Sequence, residues 1–360
     1  MSGFDSIIDQ KQPLRILSSL LRSQNIPHAL LFTGIEGVGK KTAARAFAMA
    51  CNCIAQKPDP ANEMPGAGAL RIPPDLQGST LLRDSTHPCG RCKSCRKIES
   101  GNHPDIILVE PSGAFIRIDQ IRALCHTLSL KPYEAKLRVA TICDAHTMNP
   151  SAGNALLKVL EEPPDRTMLI LTAPHASDLL PTVASRCQHV RFNPISRKKL
   201  TGMLVETQGL DPDGAAIIAS MAHGSFSKAL SMVTHRDRSD WISRRSWLIS
   251  EIDSLSSRSI VLRLEFASRL AKNKDFLLDS LEVIHSYFRD VVVWKYSPEK
   301  IINKDLTDRI QYASQKMSVA SLLSKIKGIQ TARRDIRANA NARLTLEVLM
   351  IKLAAQDPGA

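Results

Sequence analysis

The sequence predicts an α/β domain with a parallel sheet, followed by an all-helical region. Short apolar runs alternate with helical stretches as far as Pro194, the pattern of buried strands joined by crossover helices. One of these runs ends in a glycine loop that opens a helix. Beyond Pro194 the β signals fade and helical periodicity persists. At 360 residues the chain exceeds one ordinary core, so two or three domains are expected.

Ala29–Thr33 (ALLFT) is the first strand, Gly34 begins the loop, and an Ala-rich helix follows from Lys40. Further apolar runs at Ile106–Val109, Leu137–Cys143 and Met168–Thr172 supply more strands. The run 138–143 (RVATIC) delivers Asp144 to a strand's C-terminal end, the edge at which open α/β sheets bind ligands. Residues 57–88 are rich in Pro and Gly without a period and read as a surface insertion. Asn149 caps a helix that has Pro150 in its first turn, buries Leu156, Leu157 and Leu160, and stops at Pro163. In the helical part, Leu344, Val348, Ile351 and Ala355 are spaced as one face of an amphipathic helix. A charged break at 235–240 (HRDRSD) divides this part into a small unit and a larger terminal one, giving expected domains at 1–193, 194–236 and 237–360.

Apolar residues make up 43% of the chain and charged ones 23%, as in an ordinary folded protein. No apolar run spans a bilayer and the N-terminus lacks an apolar signal region, which predicts a cytoplasmic protein. The net charge of +13 favours a polyanionic partner such as nucleic acid, though a basic pI alone argues this weakly.

Gly34-Ile35-Glu36-Gly37-Val38-Gly39-Lys40 matches the first part of a phosphate-binding P-loop. Its glycines let backbone N–H groups converge on phosphate oxygens, the helix N-terminus adds positive potential, and Lys40 supplies a mobile charge. The next residue should be Ser or Thr, to hold Mg²⁺ against the phosphates; here it is Lys41, whose ammonium repels the metal. Thr42 comes one residue late, rotated by roughly 100° around the helix. A working ATPase also needs Asp-Glu at the end of the metal-binding strand, and here Asp144 is followed by Ala145. His146 is better read as a loop histidine than as a substitute base. Gly34, Gly37, Gly39, Lys40, Lys41, Thr42 and Asp144 therefore form a degenerate nucleotide site, with ATP or ADP bound weakly or not at all.

Cys89, Cys92 and Cys95 stand at two-residue spacings, and clustered thiols in a cytosolic chain point to metal before disulfides. A tetrahedral Zn²⁺ needs a fourth ligand, for which Cys53 is the first candidate and Cys51 the second, ahead of His87 and His103. The zinc would be structural, stapling the base of the insertion. Cys125, Cys143 and Cys187 lie in apolar segments and read as core residues.

Several segments together resemble the bacterial DNA polymerase III clamp-loader subunits of the AAA+ family. They are His28–Phe32, Asn52-Cys53 with Pro88–Cys95, Gly101-Asn102-His103-Pro104-Asp105, Ile118–Arg122, Asn154–Pro164, Leu180-Pro181-Thr182 with Ser185-Arg186-Cys187, and Asn339–Leu344. The resemblance runs from about residue 4 to 353 and implies a RecA-like P-loop domain carrying a zinc module (51–95), a small helical lid and a helical collar. The family's motor subunits, of gamma or tau type, keep Thr after the P-loop Lys and Glu after the strand Asp. This chain has neither and so resembles the stationary, delta-prime type. Gly224–Leu230 is similar to the family's second sensor, with Ser227 where the motors place Arg.

The resemblance implies that Arg186 acts in trans as an arginine finger on ATP bound by a neighbouring motor subunit. It further implies an accessory subunit of a DNA-directed DNA polymerase holoenzyme. The implied partners are gamma/tau and delta subunits, the sliding clamp and, through the assembled complex, primed DNA, with no membrane. Two rivals remain. A motor ATPase would use Thr42 for Mg²⁺ and Glu161 or Glu162 for water, and a zinc-ribbon DNA-binding protein would carry a vestigial P-loop. The ribbon lacks the interleaved aromatic residues that stack bases.

Overall fold

A computed structural model describes residues 3–23, 25–55, 87–234, 238–272 and 274–355. Contacts divide it into two units, Met1–Lys199 with Gly224–Ser227, and Leu200–His223 with Lys228–Ala360. Most of the expected insertion (residues 57–86) and part of the charged break (235–237) lie outside the described residues.

The first unit is built on a five-stranded parallel sheet. In chain order it contains α1 (Lys11–Ser23), β1 (Ala29–Thr33), α2 (Lys40–Cys51), α3 (Lys93–Glu99), β2 (Ile106–Val109), α4 (Ile118–Ser129), β3 (Arg138–Ile142), α5 (Pro150–Glu161), β4 (Thr167–Ala173), α6 (Pro181–Ala184) and β5 (Gln188–Arg191). The sheet order is β2-β3-β4-β1-β5, with every neighbouring pair parallel. Alternate residues of the inner strands face opposite layers. Leu30, Phe32, Val139, Met168 and Ile170 pack with Leu17, Leu21 and Phe47 of α1 and α2. Leu31, Ala140, Ile142, Leu169 and Leu171 pack with Ile121, Leu124, Leu156 and Leu160 of α4 and α5. Leu157, expected in that layer, is only half-buried.

Strand β5 has no signal in the sequence. Its residues read Gln188-His189-Val190-Arg191 and only Val190 is buried, so this edge strand has no apolar run to reveal it.

The helical part comprises α7 (Arg197–Gln208), α8 (Pro212–Met221), α9 (Phe226–Thr234), α10 (Arg238–Asp253), α11 (Ile260–Lys272), α12 (Lys274–Trp294), α13 (Thr307–Lys316), α14 (Val319–Arg337) and α15 (Ala342–Ala354). Buried polar staples hold the second unit. Asp290 accepts hydrogen bonds from the Ile302 and Asn303 backbone N–H groups, and Arg245 reaches Asn303 and Asp305.

The expected apolar face of the last helix needs correcting. Leu344, Val348 and Ile351 are 59%, 52% and 46% exposed, and Ala355 lies past the helix end. The inward face is Leu346, Leu349, Met350 and Leu353. Both sets repeat at helical spacing, so periodicity identifies a helix without saying which face turns inward. Among the described residues, no helix is long and apolar enough to cross a membrane.

Candidate functional site

All five strands run the same way, so their C-terminal ends share one edge. That edge gathers the glycine loop after β1, Glu110 after β2, Asp144 after β3, and Pro174 after β4. Gly34 donates its N–H to the carbonyls of Ala173 and Pro174, at 3.2 and 3.0 Å. Thr172 Oγ1 accepts the Asp144 N–H at 2.9 Å. Gly37 and Gly39 have φ of 76° and 96°, a left-handed path that non-glycine residues rarely adopt. This path turns the chain from β1 into α2. Phe226 donates its N–H to the Gly37 carbonyl at 3.0 Å. A Cβ built on Gly37 would come within 2.2 Å of Ser227 Oγ and 2.4 Å of Ser225 Oγ.

Lys40 is buried, and its ammonium donates to the loop's own carbonyls, those of Gly34 and Ile35. Burial lowers its pKa, opposed by the negative charges of Asp144 and Glu36. Lys41, where a metal-binding hydroxyl would stand, ion-pairs with Glu110 at 2.5 Å. Thr42 is half-buried on α2, and Ala145 is buried. His146 is exposed in a one-turn helix, matching the loop reading. The sequence reading missed Glu110, although its place directly after a strand put it on this edge.

The four sulfurs of Cys53, Cys89, Cys92 and Cys95 all lie within 4.8 Å of one another. A tetrahedral Zn²⁺ with bonds of about 2.3 Å needs sulfurs about 3.8 Å apart, so this donor set fits structural zinc. Cys53 comes from the turn after α2, Cys89 from the segment before α3, Cys92 from the N-cap of α3 and Cys95 from its first turn. Each step of the chain presents an N–H to a sulfur: Cys89 to Cys53, Cys92 to Cys89, and Cys95 to Cys92, at 3.3–3.5 Å. Burial pushes the Cys53 and Cys95 thiols up. At Cys92 it is outweighed by the N–H groups of Cys95 and Ile54, which bring that thiol to about 6. Cys51 stands apart on α2, its thiol pushed up by burial to about 12. His103 is also outside the cluster, and its Nδ1 accepts the Asp105 N–H.

Arg186 follows α6 at the margin of the sheet domain. Its Nη1 donates to the Thr182 carbonyl at 2.9 Å, and its Nη2 meets Glu161 Oε1 at 2.8 Å. Nothing in the sequence pairs Glu161, the rival motor's candidate base, with Arg186; the two are 25 residues apart and meet only in the fold.

A parallel sheet with a glycine loop on its C-terminal edge, followed by a helical part, defines a RecA-like P-loop fold of AAA+ type. Residues 9–66 and 79–196 match the family model described as "DNA polymerase III, delta subunit", and 239–355 match "DNA polymerase III, delta subunit, C terminal". The chain belongs to the DNA polymerase III delta-prime subunit family, clamp-loader subunits related to gamma and tau. It is 27% identical to DNA polymerase III subunit delta' of Bacillus subtilis (strain 168), the match covering 96% of each chain. It is 26% identical to subunit tau of the same organism and 24% identical to subunit tau/gamma of Haemophilus influenzae. Those two matches cover 97% and 99% of this chain but only 61% and 50% of the relatives.

Proposed function

We propose that this chain is the stationary, delta-prime-like subunit of its clamp loader, hydrolyses little or no ATP itself, and donates Arg186 to a neighbouring motor subunit. The observation that carries this reading is the Lys41–Glu110 ion pair, which puts a tethered ammonium where a motor needs a hydroxyl for Mg²⁺. Ala145 adds a second missing part, because a methyl group cannot polarise water. In this reading Gly34, Gly37, Gly39, Lys40, Lys41, Thr42 and Asp144 keep the shape of a nucleotide site without its chemistry.

The zinc at Cys53, Cys89, Cys92 and Cys95 is structural, with all four positions taken by protein thiolates. Residues 194–236 act as the lid and 237–360 as the collar. The protein works in the cytoplasm with gamma/tau- and delta-type subunits, loading the sliding clamp on primed DNA. Exposed Leu344, Val348 and Ile351 on α15 support a collar that packs against neighbours.

Phosphate release from Mg-ATP tests the reading, measured for the chain alone and with a motor-type partner subunit. The chain alone is expected to be silent. The partner's rate is expected to rise on assembly and to fall about 10³-fold or more with Arg186→Ala. Brisk hydrolysis by the chain alone would show a motor with an unorthodox site.

A further inference from the structure

The Asn154–Pro164 segment contains the acid that meets Arg186. From the Arg186–Glu161 geometry we infer that Glu161 is the positioning residue of the arginine finger; the inference rests on the finger reading above.

Arg186 lies just beyond α6, a single turn with its first carbonyls already used. Ser185 N–H donates to Pro181 O at 2.9 Å, and Arg186 N–H to Val183 O at 3.2 Å. So short a helix cannot hold a long side chain by itself. Helix α5 supplies the hold at two places. Near its start, Gly153 admits Leu180: a Cβ there would come within 2.7 Å of Leu180 Cδ1, so the missing side chain lets α6 lie close. Eight residues on, about 12 Å along the helix, Glu161 Oε1 accepts from Arg186 Nη2 at 2.8 Å.

A guanidinium has five N–H donors in a fixed plane. One is taken by the Thr182 carbonyl and one by Glu161. The plane is thereby fixed by one acceptor from its own turn and one from α5, and its other donors remain to meet the oxygens of a transferring phosphoryl group. The pair is half-exposed, at 37% for Arg186 and 50% for Glu161, so it orients the cation without burying it. Glu161 itself touches no nucleotide and transfers no proton. This use of the carboxylate also removes it from the role of a water-polarising base.

The test measures ATP turnover by the complex of the full chain with its motor-type partner subunits, for wild type, Glu161→Gln, Glu161→Asp, Arg186→Ala and the double variant Glu161→Gln/Arg186→Ala. Glu161→Gln is expected to lower kcat about 2- to 5-fold, the range of an exposed ion pair, with KM for ATP unchanged. Glu161→Asp should recover part of the loss, and Glu161→Gln should cost nothing further once Arg186 is alanine. Thermal melting of the variants should match wild type, which separates aim from folding. Wild-type kcat in Glu161→Gln overturns the inference, as does a raised kcat, which would make Glu161 a restraint rather than a guide. If Arg186→Ala leaves the partner's turnover intact, the finger reading itself fails. Sensitivity to Arg186 without sensitivity to Glu161 sinks only this inference.

Discussion

Asp105 lies in the segment that enters β2, and its carboxylate gathers a loop around itself. It accepts N–H groups from Tyr133, Glu134 and Ala135, each at 2.8–2.9 Å, and pairs with the buried Arg138 guanidinium at 3.1 Å. Arg138 in turn donates to the carbonyls of Thr127, Leu130 and Lys131, closing the C-terminus of α4. Burial pushes the Asp105 carboxyl up, but the three N–H groups and Arg138 outweigh it and hold it down at about 2. A folded-state value below the unfolded one means the stabilisation is complete above about pH 4 and fades as pH falls towards 2. It amounts to about 2 kcal/mol, and acid titration of unfolding in wild type against Asp105→Asn measures it. At neutral pH, Asp105→Ala is expected to cost about 3–5 kcal/mol, because it strands a buried guanidinium. Residues 101–105 were legible only as part of a resemblance. Nothing in their spacing says that one carboxylate will meet a loop 28 residues later.

The loop before helix α2 keeps its glycines for the fold as well as for any phosphate. Gly37 has a φ of 76° and faces Ser225 and Ser227 at distances no Cβ could share. Gly37→Ala is therefore expected to destabilise the sheet domain by about 1–3 kcal/mol without any nucleotide present, as urea unfolding would show. The short α3 is capped by Cys92 and carries Cys95 in its first turn, two members of the sulfur cluster. Zinc analysis should give one ion per chain, lost in Cys53→Ala and kept in Cys51→Ala, since only Cys53 sits with the other three sulfurs. Retention by Cys53→Ala with loss in Cys51→Ala would reverse that assignment. The three clustered cysteines were plain in the sequence because ligands two residues apart are a local pattern. The fourth was open between Cys51 and Cys53 because it comes from another element.

Among the described residues, the sheet and the last helix dispose their apolar side chains differently. The sheet buries both faces under helices, whereas α15 buries one apolar stripe and exposes another. Leu344→Glu with Val348→Glu is expected to change the stability of the isolated chain by no more than about 0.5 kcal/mol, because both side chains already meet water. Co-elution with the other loader subunits should weaken at least about tenfold if this stripe is a subunit interface. A double variant that assembles like wild type would move the interface elsewhere. By itself the sequence determined the parallel α/β architecture, the glycine loop, the placing of Lys41 after that loop and of Ala145 after Asp144, and the cysteine cluster. Each is written in neighbouring residues, where strand runs, loop glycines and ligand spacing are short-range patterns. Only the tertiary structure decided that Lys41 is held by Glu110, that Glu161 meets Arg186, and which face of α15 turns inward. Those pairings join residues brought together by sheet order and helix packing, which no local period encodes.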